Sequence, residues 1–304
     1  MRIGVAATPL VAIPTLDWLF ESEYELSQII STPDQPSARS KKLEPSAVSQ
    51  WATKRNLPCL ATRDFVELRE CFAKLDLIVV IGFGAIFPPE LLNAPKHGCI
   101  NVHFSLLPQW RGAAPVQRAL MNGETNLGVS VFQITEGIDT GPVYSTASVI
   151  VDTECTYGDA LERLSVIGVK SVAMALEMIR TGQLPVEQAS GAVSVAPKIS
   201  RQDARIDWKL TAQIIHNLVR GVNPEPGAWT LWRGEPMQIR KSSISHAGPS
   251  LSPGEIGLEG GSFFVGCSVN QNLEILSLIP AGKREMSAAQ WSNGARIISG
   301  DRFE

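Results

Sequence analysis

The chain has 304 residues, 44% of them hydrophobic and 19% charged, with a formal net charge of −3. That composition belongs to a globular protein, long for one domain and comfortable for two, and it excludes a disordered chain. A net negative charge also excludes wholesale electrostatic capture of nucleic acid, so any such contact rests on local basic patches.

The first half alternates strand-like and helix-like segments. Strands are expected over 2–6, 24–30, 57–60, 77–83, 99–103, 129–134 and 143–151, and helices over 13–20, 46–55, 65–72 and 115–121. A longer helix is expected from Thr156, a good N-cap, to Ile179, with Leu161, Leu164, Val172 and Leu176 on one stripe. Gly168 falls on that stripe, where glycine weakens a helix but lets a neighbour approach closely. The run Leu77-Ile78-Val79-Val80-Ile81 is apolar throughout and suits a parallel strand buried on both faces. Alternating β and α units of this kind predict an α/β, doubly wound, mostly parallel Rossmann-like sheet, with ligands at the carboxyl ends of its strands.

Beyond Gln183 the character changes. Residues 187–192 are small and polar and read as the start of a linker. One helix is expected over 211–219, followed by short strands and Gly, Pro and Asn turns as far as Glu304. The expectation is a small β-rich domain, an open barrel. The boundaries read as 1–188 for the first domain, 189–204 for the linker and 205–304 for the second domain.

Cys59, Cys71, Cys99, Cys155 and Cys267 are scattered, odd in number and without C-x-x-C spacing, which suits a reducing cytosol. With four dispersed histidines, no metal site is expected. The N-terminal residues lack the charged-then-apolar layout of a signal peptide. No apolar run approaches the ~20 residues needed to cross a bilayer. A cytoplasmic protein without membrane contact, and without an obligate protein partner, is expected.

The chemistry concentrates in two stretches. Residues 99–103 deliver Asn101 and His103 to the same face of a strand end, because alternate side chains share a face. Ser105-Leu106-Leu107-Pro108 then turns the chain. Downstream, 128–134 alternates like a strand and runs into Thr135-Glu136-Gly137-Ile138-Asp139-Thr140-Gly141-Pro142, a tight loop holding a carboxylate. Taken singly, Asn101 is a strand-end cap, His103 a core histidine and Asp139 a turn residue. Taken together they supply an oxyanion donor, an acid or electrostatic stabiliser, and a base or orienting group, as acyl transfer requires. No serine or cysteine stands beside a base, so no covalent intermediate is expected. Gly82-Phe83-Gly84 lacks the third glycine of a dinucleotide fingerprint and does not follow the first strand.

These motifs resemble those of the folate-dependent formyltransferases, in Asn101-x-His103, Ser105-Leu106-Leu107-Pro108 and Asp139. Residues 110–115 (WRGAAP), 33–45, 196–199 (APKI), 204–208 (ARIDW), 223–229 and 281–283 (AGK) are similar to the branch that formylates methionyl-tRNA. The resemblance covers nearly the whole chain. It implies transfer of the formyl group of 10-formyltetrahydrofolate to the α-amino group of initiator methionyl-tRNA, with an OB-like second domain that contacts tRNA. It implies catalytic roles for Asn101, His103 and Asp139. Folate contacts are implied for Ser105, Leu106, Leu107, Pro108, Phe83, Ala85, Ile86 and Phe87. tRNA contacts are implied for Arg39, Lys41 and Lys42 in a proline-flanked loop, and for Arg220, Arg240, Lys241 and Lys283 in the second domain. The chain departs from the family pattern at Gln35, Ala38, Ser40, Phe104 and Gln109. From Arg205 onward it carries ten Lys+Arg against nine Asp+Glu, so its second domain is nearly neutral. Other readings are formyl transfer to a nucleotide-linked amino sugar, hydrolysis of the formyl donor, and a non-catalytic RNA-binding module.

Overall fold

A computed structural model describes residues 1–36, 43–245 and 248–304. In chain order its main elements are β1 (Arg2–Ala7), α1 (Ile13–Glu21), β2 (Glu25–Ser31), α2 (Ala47–Lys54), β3 (Cys59–Ala61), α3 (Phe65–Phe72), β4 (Leu77–Ile81), α4 (Pro89–Leu92), β5 (Cys99–His103), α5 (Pro115–Met121), β6 (Asn126–Gln133) and β7 (Val143–Ile150). There follow α6 (Tyr157–Arg180), α7 (Ala212–Gly221), β8 (Ala228–Trp232), β9 (Glu235–Ser245), β10 (Ile256–Glu259), β11 (Ser262–Gly266), β12 (Asn272–Pro280) and α8 (Ala288–Ala295). They form two compact units. The first holds Met1–Gly112, Leu127–Val149 and Leu161–Val195, and the second holds Ala113–Asn126, Ile150–Ala160 and Ala196–Glu304.

The first unit is built on a seven-stranded sheet of order β7-β6-β5-β4-β1-β2-β3. The pairs β1–β2, β1–β4, β2–β3 and β4–β5 are parallel, and β5–β6 is antiparallel. The chain steps outward from β1 in one direction through β2 and β3, then crosses back to β4 and β5. The switch point therefore lies between β1 and β4, and the loops at their carboxyl ends meet there. A side chain at Gly82 would lie 2.8 Å from the Pro9 ring. All five residues of β4 are buried, as an apolar strand covered on both faces should be.

Local signals set the helix starts. Ser46 caps α2 by accepting from the Ser49 amide at 2.9 Å, and Asp64 caps α3 by accepting from Val66 and Glu67. Thr156 and Asp159 bond reciprocally at the start of α6, where the sequence places the N-cap. The close approach expected at Gly168 is not required: a Cβ there would meet Val129 and Val102 at 3.7–3.9 Å, ordinary contact.

The second unit carries an antiparallel sheet of order β8-β9-β12-β11-β10, with the short strand Met286–Ser287 beside β12. Its edges are joined by the chain's last residues. Phe303 bridges Trp232 of β8, and Arg302 bridges Glu255 just before β10. Phe303 sits among Trp208, Trp232, Phe263 and Trp291, with ring centroids 5.7–6.2 Å away. The result is a small barrel with an aromatic core. Helix α8 falls where only strands and turns are expected. Its signature is the capping box Ser287/Gln290, formed by the residue before the helix and the third residue within it. Among the described residues no helix is long and apolar enough to cross a membrane.

Candidate active site

The site grows from the carboxyl end of β5. Asn101 pairs with Val80 of β4 on one side and Phe132 of β6 on the other, and His103 pairs with Ser130. Period two puts both side chains on one face. His103 is buried, with its side chain 5% exposed, and lies edge-on to Phe132. Among the described residues no hydrogen bond engages the Asn101 amide, which is half-buried, so its N–H groups remain available at the strand end.

The turn after β5 is held by β6. Ser130 Oγ donates to the Ser105 carbonyl at 2.7 Å and accepts from the Leu107 amide at 3.1 Å. Ser105 Oγ donates to the Gln109 carbonyl at 2.6 Å. Leu106 packs over Gly128, where any side chain would collide with it. The turn ends at Trp110, whose φ of 56° is rare for a bulky residue. That conformation aims the Trp110 carbonyl at His103 Nε2, 2.9 Å away.

A carbonyl only accepts, so Nε2 carries the proton of the neutral ring and Nδ1 is left bare. Nδ1 faces Asp139 Oδ2 at 3.6 Å, an ion-pair distance when the ring is charged and too long for a hydrogen bond. Burial pushes the His103 ring below its ordinary value; the Asp139 carboxylate and the Trp110 carbonyl oppose that shift without cancelling it. Two basic groups, bare Nδ1 and a carboxylate, therefore converge on one spot that a proton can occupy.

Asp139 is presented by the loop after β6. Its φ of 52° is left-handed, which aspartate tolerates better than most residues. Its Oδ2 accepts from the Gly112 amide at 2.7 Å. Gly141 is required at the return of the loop, because a Cβ there would run into the Gln133 carbonyl oxygen.

The residues expected to line a folate site divide. Phe83 and Phe87 are core side chains, packed on each other at 5.7 Å and on Phe72, and Ala85 lies against the same cluster. Their side chains are thus unavailable to a ligand, and only the loop backbone and Ile86, 76% exposed, remain open. Ser105 is buried, while Leu106, Leu107 and Pro108 are half-buried beside His103.

The cations expected to touch tRNA divide as well. Arg39, Lys41 and Lys42 lie outside the described residues. Arg220 is 3% exposed, and its guanidinium donates to Asn217 Oδ1 and to the carbonyls of Cys155 and Glu124. It holds the second unit together and cannot form part of an exposed basic face. Arg240 is turned inward to the Pro224 carbonyl at 2.7 Å, whereas Lys241 and Lys283 are exposed.

Sequence reasoning missed four contributors to the site: Ser130, Gly112, Gln188 and Ser194. The last two fall in or beside the stretch that reads as a linker. Ser194 takes the Trp110 amide on its hydroxyl at 2.8 Å and the Arg111 amide on its carbonyl at 2.9 Å. Among the described residues no group of three or more His, Cys, Asp or Glu is placed to hold a metal.

The chain has relatives of known family. Residues 6–176 match the family model for formyl transferase, and residues 198–296 match that for the formyl transferase C-terminal domain. A methionyl-tRNA formyltransferase of Arthrobacter sp. is 39% identical over 307 residues, covering 100% of both chains. Among solved structures, HypX of Aquifex aeolicus in complex with tetrahydrofolic acid shares the fold at TM-score 0.66 and 18% identity. It covers 96% of this chain, which spans only 47% of the longer HypX chain. An N-formyltransferase of Helicobacter canadensis in complex with folinic acid and dTDP-3-aminofucose gives TM-score 0.68 at 17% identity, covering 90% of this chain and 98% of its own. Full-length identity to the tRNA-directed enzymes, together with both formyl transferase models, places the chain in the methionyl-tRNA formyltransferase family.

Proposed function

We propose that the protein transfers the formyl group of 10-formyltetrahydrofolate to the α-amino group of initiator methionyl-tRNA in the cytoplasm. The observation that carries the chemistry is the convergence of bare Nδ1 of His103 and the Asp139 carboxylate, at 3.6 Å, beside the open amide of Asn101. Residues 1–188 hold the folate and the reaction, and residues 205–304 serve the tRNA, through exposed cations such as Lys241 and Lys283 together with Arg39, Lys41 and Lys42.

An α-amino group has a reference pKa of about 7.7–8.0, and an adjacent ester lowers it, so the neutral amine is at hand near pH 7. The amine attacks the formyl carbon on N10. A new N–C bond forms and the carbonyl oxygen becomes an oxyanion. Asn101 donates to that oxygen, where preorganised donors have their largest effect. In the neutral ring the Nε2–H of His103 is committed to Trp110. Asn101 therefore carries the oxyanion role alone, and the His103–Asp139 pair takes the proton released by the amine. The same proton moves to N10 as the C–N10 bond breaks, so the site returns to its starting charge. Direct transfer of this kind needs no enzyme-bound formyl group.

The test is a formylation assay with charged initiator and elongator tRNA side by side. Formyl transfer that depends on charged initiator tRNA is expected. Release of formate at the same rate without tRNA indicates a hydrolase, and transfer to a nucleotide-linked amino sugar instead indicates the sugar-directed branch.

A further inference from the structure

Gln188 lies just past α6, in a polar stretch with no obvious place in a catalytic site. Its side chain spans two features of the first unit. The Nε2 group donates to two carbonyls of the loop that presents the catalytic carboxylate, those of Asp139 and Gly141, each at 2.8 Å. Its Oε1 accepts from Arg111 at 2.6 Å. Arg111 is the residue between Trp110, whose carbonyl orients His103, and Gly112, whose amide holds the Asp139 carboxylate.

We propose that Gln188 is a positioning residue for catalysis: one amide fixes the Asp139 loop and the Trp110–Gly112 turn in mutual register, setting the distance between Asp139 and His103.

Three facts support the assignment. The amide orientation is dictated by its partners. A guanidinium only donates and the two carbonyls only accept, so the oxygen must face Arg111 and the NH2 must face the loop. Both NH2 hydrogens are used, leaving no donor idle. The loop also needs an external hold. Asp139 sits at φ 52° and Trp110 at φ 56°, conformations that persist only when the surroundings over-determine them. Backbone amides of the same turn are fixed from the same segment, by Ser194 on Trp110 and Arg111. Residues 186–194 thus behave as a strap for the site, beginning with the mutual backbone bonds of Val186 and Val143 at 2.7 and 2.9 Å.

The assignment rests on the proposed role of Asp139, so Asp139→Asn is measured alongside. Gln188→Ala removes the brace. Gln188→Glu keeps the acceptor for Arg111 but replaces the two donors with an oxygen that repels both carbonyls. Both variants are expected to lower kcat by about 10²-fold, as loss of near-attack geometry does, with KM for 10-formyltetrahydrofolate little changed. The His103 ring, followed by NMR titration in Gln188→Ala, is expected to titrate lower than in the parent, because the carboxylate that opposes its burial has moved away. A stability loss alone moves neither the kcat-to-KM split nor that titration. Parental kcat in Gln188→Glu, or an unmoved His103 titration in Gln188→Ala, overturns the assignment. Full activity in Asp139→Asn overturns the mechanism itself, a result distinguishable from failure of the brace.

Discussion

Two histidines, one in each unit, are almost fully buried, and they are built in opposite ways. His216 lies on the regular helix α7, where Thr211 caps the start. Its Nδ1 meets the Ser242 hydroxyl at 3.1 Å and its Nε2 meets the Thr153 carbonyl at 3.0 Å. A hydroxyl can donate or accept, so the neutral ring is satisfied at both ends without any backbone distortion. The nearest carboxylate, Glu154, is 51% exposed and screened by solvent. His103 has a carbonyl on one nitrogen and a carboxylate on the other, two acceptors for one proton. Its partners stand on left-handed, non-glycine residues, and the neighbouring Arg111 Nε is buried without a hydrogen bond. A satisfied histidine holds a fold together. An over-supplied one, surrounded by strained backbone, suits the proton transfer proposed for His103.

The contrast is tested most strongly by removing the acceptor that makes His103 unusual. Asp139→Asn keeps the shape and the bond from Gly112 but cannot take a proton. Turnover is expected to fall by about 10²–10⁴-fold, the usual range for loss of acid–base assistance, in a protein that still folds. The His103 ring is also expected to titrate lower in this variant, since the carboxylate raises its proton affinity against the effect of burial. Single-turnover formylation together with circular dichroism decides the matter; a loss below about tenfold means Asp139 is neither base nor partner to His103.

Much of this was legible beforehand, and the reasons are physical. The strand 77–81 is apolar throughout because it is covered on both faces, and α6 announces itself by its cap at Thr156 and its 3.6-residue stripe. Asn101, His103 and Asp139 are legible as a candidate site because two polar side chains share a face at a strand end and a carboxylate stands in a glycine-rich loop, and the structure brings His103 and Asp139 to 3.6 Å. Gln188 and Ser194 are not legible. A polar residue bound to two backbone carbonyls has the same composition as one bound to water, so this segment reads as the start of a linker. Phe83 and Phe87 read as ligand contacts because an aromatic beside a glycine-rich turn looks the same whether it faces a pocket or a core. Arg220 read as a surface cation for the same reason: sequence gives its charge, not its burial or its three acceptors.

The second test works from the other histidine. His216→Ala leaves the Ser242 hydroxyl and the Thr153 carbonyl buried without their partner. Each such orphan typically costs about 1–3 kcal/mol, so a clear drop in thermal midpoint is expected. Formyl transfer at saturating substrate should be unchanged, because nothing at His216 takes part in the reaction. A variant that keeps its stability but loses turnover would mean that His216 is more than structural, and the contrast between the two rings would collapse.

The smallest effect concerns the scaffold behind the site. Gly168 sits inside α6 against Val102 of β5 and Val129 of β6, the strands that carry His103 and Ser130. Glycine within a helix costs roughly 0.5–1 kcal/mol relative to alanine, chiefly through the freedom it gives the unfolded chain. A Cβ at this position meets the two valines at 3.7–3.9 Å, so it adds contact without a clash. Gly168→Ala should therefore raise stability by about 0.5–1 kcal/mol in denaturant titration, at constant m-value and with unaltered kcat. On the proposed mechanism the strained residues of the site offer no such gain, because their conformations aim the proposed reacting groups, whereas Gly168 lies in a regular helix behind them. Destabilisation by Gly168→Ala would show that α6 and β5 are packed more closely than these distances allow, and that the scaffold shares the tolerances of the site.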